Sequence, residues 1–199
     1  MKLNILFFFI LIPFLYFSQR NNLITSQASY PVTNPKSFNK KKFKGNNTIL
    51  FEIHSDQKIS EFIKVNYYLD KNADYFIAYI INNNNFPFDF ALQDGSLFII
   101  QEAQNHDKEW VPIEHWSYSS CGNSYDRSLI LPPKTYATFP VKISKGNYKT
   151  KIRLKMKDLR SKHIYYSQAF EGIIDDSKFK PQNWKKSDYT SVSYFDEIE

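Results

Sequence analysis

Apolar and polar residues alternate with a period of two along most of the chain after residue 48, and the 3.6-residue period of a helix is not seen. The clearest case is the segment 148–157. One face carries Tyr148, Thr150, Ile152, Leu154 and Met156, and the other carries Lys149, Lys151, Arg153, Lys155 and Lys157. A shift of one residue would turn all five cations into the core, so this pattern predicts a strand whose register is strongly fixed.

Seven further stretches are predicted strands, although some alternate less cleanly. They are 48–54, 62–69, 75–82, 96–102, 109–118, 135–143 and 163–173. Pro112 has no N–H to donate, which places its segment at a sheet edge or a bulge. The four asparagines at 82–85 predict a turn. Together these signals predict an all-β fold, an immunoglobulin-like β-sandwich of about 7–9 antiparallel strands, with a closed barrel as the alternative.

The first residues have the features of a signal peptide. Lys2 precedes an apolar run over 5–17, which is too short to cross a hydrocarbon core of about 30 Å as a helix. Its length is typical of a signal-peptide core, so we predict a signal peptide over 1–18 and an exported protein, periplasmic or extracellular, with the periplasm preferred. After cleavage no stable membrane span is expected. An uncleaved N-terminal anchor is the alternative.

The rest of the chain divides by composition. Residues 19–47 are polar and lysine-rich and predict a basic linker, 48–174 form the predicted sandwich domain, and 175–199 have no steady period and predict a loosely packed tail. Cys121 is the single cysteine, so an intrachain disulfide is excluded and stability must come from the core. The composition, with 42% hydrophobic and 18% aromatic residues, supplies ample material for that core.

Gly146-Asn147-Tyr148 resembles the E–F corner of immunoglobulin-like domains. The resemblance implies that Tyr148 is the corner tyrosine, with its hydroxyl bonded to nearby backbone. It also implies that Thr150 stands where disulfide-bearing members carry their second cysteine. The segments 110–114, 120–125 and 148–153 together resemble uncharacterised exported proteins of the flavobacterial kind, which implies a location outside the cytoplasm and no particular activity.

Several classes of site are excluded by the sequence. The five glycines lie too far apart for a phosphate-binding loop or a dinucleotide fingerprint, and Gly-x-Ser-x-Gly is absent. The four histidines form no His-Glu-x-x-His pair, and one cysteine cannot build a thiolate zinc site. We therefore predict no cofactor and no metal. One acidic turn, with Glu102, His106, Asp107 and Glu109, is compatible either with a hard cation or with a solvated hairpin tip.

The most distinctive loop contains Cys121, Asn123 and Tyr125. A reactive thiol there needs a neighbouring base, and His115 is the nearest histidine in sequence. Two alternatives remain open: a buried cysteine acting as a small apolar group, or a turn built by Gly122 and Asn123.

Two further sets of side chains are candidate contact surfaces. Trp110 and Trp116 would suit a sugar if they share one exposed face, and otherwise belong to the core. Lys149, Lys151, Arg153 and Lys155 are spaced about 6.6–7 Å apart along one strand. With a net charge of +6, this row suits an anionic glycan, or is simply a solvated face.

The residues thus predict a non-catalytic exported β-sandwich protein that binds or assembles at the cell envelope. Its expected partner is an envelope protein or an anionic glycan, and the export signal argues against nucleic acid. The alternatives are a small secreted hydrolase using Cys121 or the acidic turn, and a carbohydrate-binding module.

Overall fold

A computed structural model describes residues 26–37, 49–58, 73–180 and 190–193. The strands in these ranges are β1 (Ser26–Gln27), β2 (Lys36–Ser37), β3 (Ile49–Lys58), β4 (Tyr75–Asn82), β5 (Phe88–Ala91), β6 (Ile99–Gln104), β7 (Trp110–Pro112), β8 (Glu114–Ser119), β9 (Ser128–Leu131), β10 (Thr135–Lys142), β11 (Tyr148–Lys157), β12 (Ile164–Tyr166), β13 (Phe170–Ile174) and β14 (Thr190–Ser193). In the same ranges, single-turn 3₁₀ helices cover Gly122–Tyr125 and Asp176–Phe179. Within these ranges no helix is long and apolar enough to cross a bilayer.

The strands form two larger and two smaller sheets. One sheet has the order β2-β10-β4-β3, and the other has the order β12-β11-β6-β7 with β13 also paired to β11. The smaller sheets are β1-β8-β14 and β5-β9. Among the described strands, β1 with β8 is the single parallel pair. The prediction of an all-β, antiparallel fold is confirmed.

Aromatic side chains fill the space between the two larger sheets. The ring centroids of Phe51 in β3 and Tyr165 in β12 are 6.3 Å apart, and those of Phe76 in β4 and Phe170 in β13 are 6.0 Å apart. Phe139 of β10 and Leu154 of β11 are buried in the same core cluster. Because these contacts join one sheet to the other face to face, the arrangement is β-sandwich-like.

Strand β11 has the bounds that the alternation predicts, and Thr150, Ile152 and Leu154 are buried as expected. Strand β7 is the edge of its sheet, so Pro112 lies where its missing N–H costs no ladder hydrogen bond.

Two predicted strands are each divided in the structure. The segment 109–118 breaks at Ile113, where the chain leaves the edge strand β7 and enters β8 in another sheet. The segment 163–173 breaks between β12 and β13, where the Ser167 hydroxyl accepts a hydrogen bond from the Leu154 N–H at 2.9 Å. A side-chain oxygen there takes the place of a ladder carbonyl.

Part of the predicted linker belongs to the folded domain. The Ala28 N–H donates to the His115 carbonyl at 2.8 Å, and Tyr30 is only 1% exposed. The linker prediction is thus wrong for 26–37, because a tyrosine in this polar segment finds a buried acceptor. In the predicted tail, β14 pairs with β8. The predicted strand 62–69 and the signal segment 1–18 lie outside the described residues.

Candidate functional site

A groove of about 500 Å³ opens beside the short strand β12. One wall is the turn that leads from β4 into β5, and the other is the segment 163–166. We call it the aromatic groove, and its lining residues are Ile49, Asn84, Phe86, Phe88, His163, Ile164, Tyr165 and Tyr166. Its volume falls in the range of small-ligand sites.

The first wall is held by the asparagine cluster. Asn82 is buried, and its Nδ2 donates to the carbonyls of Phe86 and Leu131, each at 2.8 Å. Its Oδ1 accepts from the Asn84 N–H at 2.9 Å. The predicted turn is confirmed, and these bonds fix the backbone that presents Phe86 to solvent with 56% of its surface exposed.

The second wall is held by ring contacts and a tight turn. The Tyr165 ring packs against the rings of Phe90 and His163, with centroid distances of 6.1 and 4.4 Å. Arg160, in the turn before β12, forms an ion pair with Asp89 of β5, which ties the two walls together. Burial raises the pKa of the Tyr165 hydroxyl, with a smaller contribution from the nearby Asp158 carboxylate, so this hydroxyl is neutral at pH 7.

Tyr166 is shared between the groove and a stacked arginine. The Arg153 guanidinium lies 4.0 Å from the centroid of the Tyr166 ring and 4.3 Å from that of the Trp110 ring. Its Nη2 and Nε lie 2.6 and 2.8 Å from Glu102 Oε2. The sequence singled out Trp110 and Arg153 separately, and the structure brings them together in one stack that fixes the position of Tyr166.

The expectation of one exposed row of cations on β11 is wrong for part of the row. Lys149 and Lys151 are exposed, but Lys155 and Lys157 are buried. Lys155 Nζ lies 3.5 Å from Glu102 Oε1, so both Arg153 and Lys155 are paired with one carboxylate. Alternation assigns these side chains to one face, but it does not show what packs on that face.

Trp116 does not share an exposed face with Trp110. It is 3% exposed, packs 4.9 Å from Phe98, and donates its indole N–H to Gln93 Oε1 at 3.2 Å. A buried indole cannot stack on a sugar, so the two-tryptophan sugar site is wrong.

The Cys121 loop is held by Gln93 and Ser119. The Tyr125 hydroxyl donates to the Ser119 carbonyl at 2.7 Å and lies 3.1 Å from Gln93 Oε1. Cys121 and Asn123 are exposed, which excludes the buried-cysteine alternative.

His115 lies in a different environment from the Cys121 thiol. It is buried on β8, and burial lowers its pKa from 6.5 to about 4. The thiol is in solvent while this imidazole is in the interior, so the arrangement does not supply a base for Cys121.

The buried His115 should make stability depend on pH. Its folded pKa is below its unfolded value, so it stabilises the fold above about pH 6.5 and this stability is lost as the pH falls towards 4. The shift corresponds to about 3 kcal/mol. Urea unfolding of the wild type should show this fall in the free energy of unfolding between pH 7 and pH 4. In His115→Asn the fall over the same pH range should be smaller by about 3 kcal/mol. Parallel pH profiles for the two proteins would contradict the assignment.

The acidic turn does not gather into one site. Glu102 is committed to the cations of β11, and Glu109 accepts from Asn105 Nδ2 at 3.1 Å. His106 packs 4.5 Å from the Tyr148 ring. Among the described residues no three metal-ligating side chains of His, Cys, Asp or Glu come together.

The sequence analysis missed a buried carboxyl group, Glu114. It accepts a short hydrogen bond from the Tyr30 hydroxyl, and it accepts from the N–H and the side-chain amide of Gln101, each at 2.9 Å. Burial raises its pKa, against the opposing effect of these donors and of Lys178. The sequence signal was only a glutamate inside a strand pattern. These contacts hold the N-terminal segment on β8, outside the aromatic groove.

The described residues therefore define an all-β, β-sandwich-like protein with an aromatic groove at one edge. Comparison with known proteins finds no matching family model, no matching curated protein and no matching solved structure. The likenesses to immunoglobulin-like domains and to exported flavobacterial proteins rest on the quoted residues alone.

Proposed function

We propose that this protein is a non-catalytic, exported binding protein of the cell envelope and that its ligand lies in the aromatic groove. The observation that carries the proposal is the exposure of large rings at a concave site. Phe86 is 56% exposed and Tyr166 is 47% exposed, and both line the groove. Exposed apolar surface around a concave site is typical of binding sites, because it is favourable only once a ligand covers it.

The surroundings of the candidate reactive groups support binding over hydrolysis. The Glu102 carboxylate is already paired with Arg153 and Lys155, and Cys121 is solvent-exposed while His115 is buried. A nucleophile or general acid needs a catalytic partner within hydrogen-bond reach in a cleft. Glu102 is instead held by two cations, and Cys121 is separated from the buried His115.

Export rests on the apolar segment behind Lys2. We expect the protein in the periplasmic or extracellular fraction, with its mature N-terminus near residue 19. Cell fractionation followed by N-terminal sequencing tests this, and an unprocessed chain in the cytosol would refute it.

The immunoglobulin-like relationship is a narrower proposal within the same fold. It is supported by Gly146, whose backbone approaches Ile174 closely, and by Tyr148 at the start of β11. The centroid of the Tyr148 ring lies 4.5 Å from that of His106 and 5.6 Å from that of Phe179, and among the described residues its hydroxyl makes no backbone hydrogen bond of the kind that the resemblance implied.

The groove proposal predicts the effect of removing its exposed rings. The purified protein and its variants are immobilised and exposed to envelope extract, and the bound material is analysed for protein, lipid and sugar. We expect Phe86→Ala and Tyr166→Ala each to reduce the bound ligand about tenfold, because each removes a contact ring.

Ile173→Ala is the matched control for that experiment, because Ile173 is an exposed apolar residue at 49% that does not line the groove. Its capture should equal that of the wild type, and all variants should have wild-type melting curves. Equal capture by all four proteins would refute the groove as the binding site.

A further inference from the structure

We infer that the ligand of the aromatic groove is a neutral oligosaccharide, an inference that rests on the binding function proposed above. The groove combines flat apolar surfaces with uncharged polar groups. A sugar ring has the same combination, with an apolar face of C–H groups and a rim of hydroxyls.

The flat surfaces are arranged as neighbouring rings. The centroids of Phe86 and Phe88 are 5.3 Å apart, and their planes are tilted by 34°. Across the groove the Tyr166 ring is held by the Arg153 guanidinium at 4.0 Å, which fixes its orientation before any ligand arrives. Rings that are already oriented lose little conformational freedom on binding, which favours a rigid, flat ligand.

The charge of the lining separates neutral from ionic ligands. None of the eight lining residues is Asp, Glu, Lys or Arg. Arg153 stacks on Tyr166, and Lys155 lies opposite Tyr166 in the β11–β12 ladder. Both cations pair with Glu102. The Arg160 guanidinium, which joins the two walls, is also paired, with Asp89. An anionic glycan would therefore gain an ion pair at the groove only by competing with a carboxylate that is already in place.

The polar groups of the lining separate sugars from wholly apolar ligands. His163 and Tyr166 are exposed lining residues that carry an imidazole and a hydroxyl, each able to donate and to accept a hydrogen bond when neutral. A lipid chain or an apolar peptide side chain covering these groups would leave them without partners, which is costly. Sugar hydroxyls would satisfy them.

The experiment is a binding titration of the purified protein with three kinds of probe. The first is a panel of neutral oligosaccharides built from glucose, mannose, galactose, xylose and N-acetylglucosamine. The second is an acidic oligogalacturonate, and the third is a lysophospholipid. We expect binding from the neutral panel, with little change in affinity between low and high salt.

Two substitutions of Phe86 distinguish stacking from simple apolar contact. We expect Phe86→Tyr to bind the neutral sugar as the wild type does, because it keeps a flat ring. Phe86→Leu keeps an apolar side chain without the ring and should weaken sugar binding about tenfold or more. Ile173→Ala should have no effect.

The outcomes separate the ligand class from the binding function. Groove-dependent binding of the acidic sugar or the lysophospholipid, with none from the neutral panel, would overturn the neutral-sugar inference and leave the groove as a binding site. Equal binding of sugar by Phe86→Leu and the wild type would also overturn it. No groove-dependent binding of any probe, together with unaltered capture from envelope extract by Phe86→Ala, would overturn both proposals.

Discussion

Glu102→Ala should lower the free energy of unfolding by about 3–5 kcal/mol. Glu102 is 4% exposed and accepts from Arg153 Nη2 at 2.6 Å, while Lys155 Nζ lies 3.5 Å from its other oxygen. Lys155 is itself only 5% exposed. Removing the carboxylate takes away a negative charge that contacts both cations, of which Lys155 is buried and Arg153 is only partly exposed.

Urea unfolding of Glu102→Ala measures this loss, and Asp126→Ala is the matched control. Asp126 pairs with Arg127 at 3.9 Å, but both side chains are largely exposed. Its removal should change stability by less than about 0.5 kcal/mol. If Glu102→Ala lowers the free energy of unfolding by less than about 1 kcal/mol, then Glu102, Arg153 and Lys155 are solvated and do not hold β6 to β11.

Gly146→Ala should be similarly damaging, with a loss of about 3 kcal/mol or more. A Cβ at this position would lie 2.1 Å from the Ile174 carbonyl carbon and 2.2 Å from the Asp175 nitrogen. Both are backbone atoms. They cannot withdraw easily, because the Asn147 N–H donates to the Ile174 carbonyl at 3.0 Å and Tyr148 pairs with Ile174 in the β11–β13 ladder.

Gly122→Ala is the control for this steric effect, since nothing lies within 4 Å of its added Cβ. It should be close to neutral, or slightly stabilising through the less flexible unfolded chain. Thermal melts of the two variants make the comparison. If Gly146→Ala melts with the wild type, the close approach of the two backbones at this corner is incorrect.

Local patterns predicted the elements whose structure depends on near neighbours. The strand β11 follows from its strict alternation, and the turn after β4 follows from the asparagine cluster. Pro112 predicted the edge position of β7, because a missing N–H is a property of the residue itself. The pair β5–β9 was not predicted, since four-residue strands carry too little periodicity to be recognised.

The candidate site could not be predicted, because it is assembled from distant segments. The groove joins Phe86 to Tyr166, and the arginine stack joins Trp110 to Arg153 and Tyr166. The Tyr30–Glu114 hydrogen bond spans 84 positions in the chain. Alternation assigned Lys155 to the correct face of β11, but only the packed structure shows that this face is partly covered.

Hydrogen–deuterium exchange of the protein, alone and with the tightest-binding neutral oligosaccharide, tests most directly whether rings exposed at the groove hold the ligand. Slower exchange should be confined to 83–88 and 163–166, the two walls that carry Phe86 and Tyr166. Slower exchange at the Cys121 loop or at Lys149 and Lys151, with both walls unchanged, would contradict this and place binding at the surfaces favoured by the sequence alone.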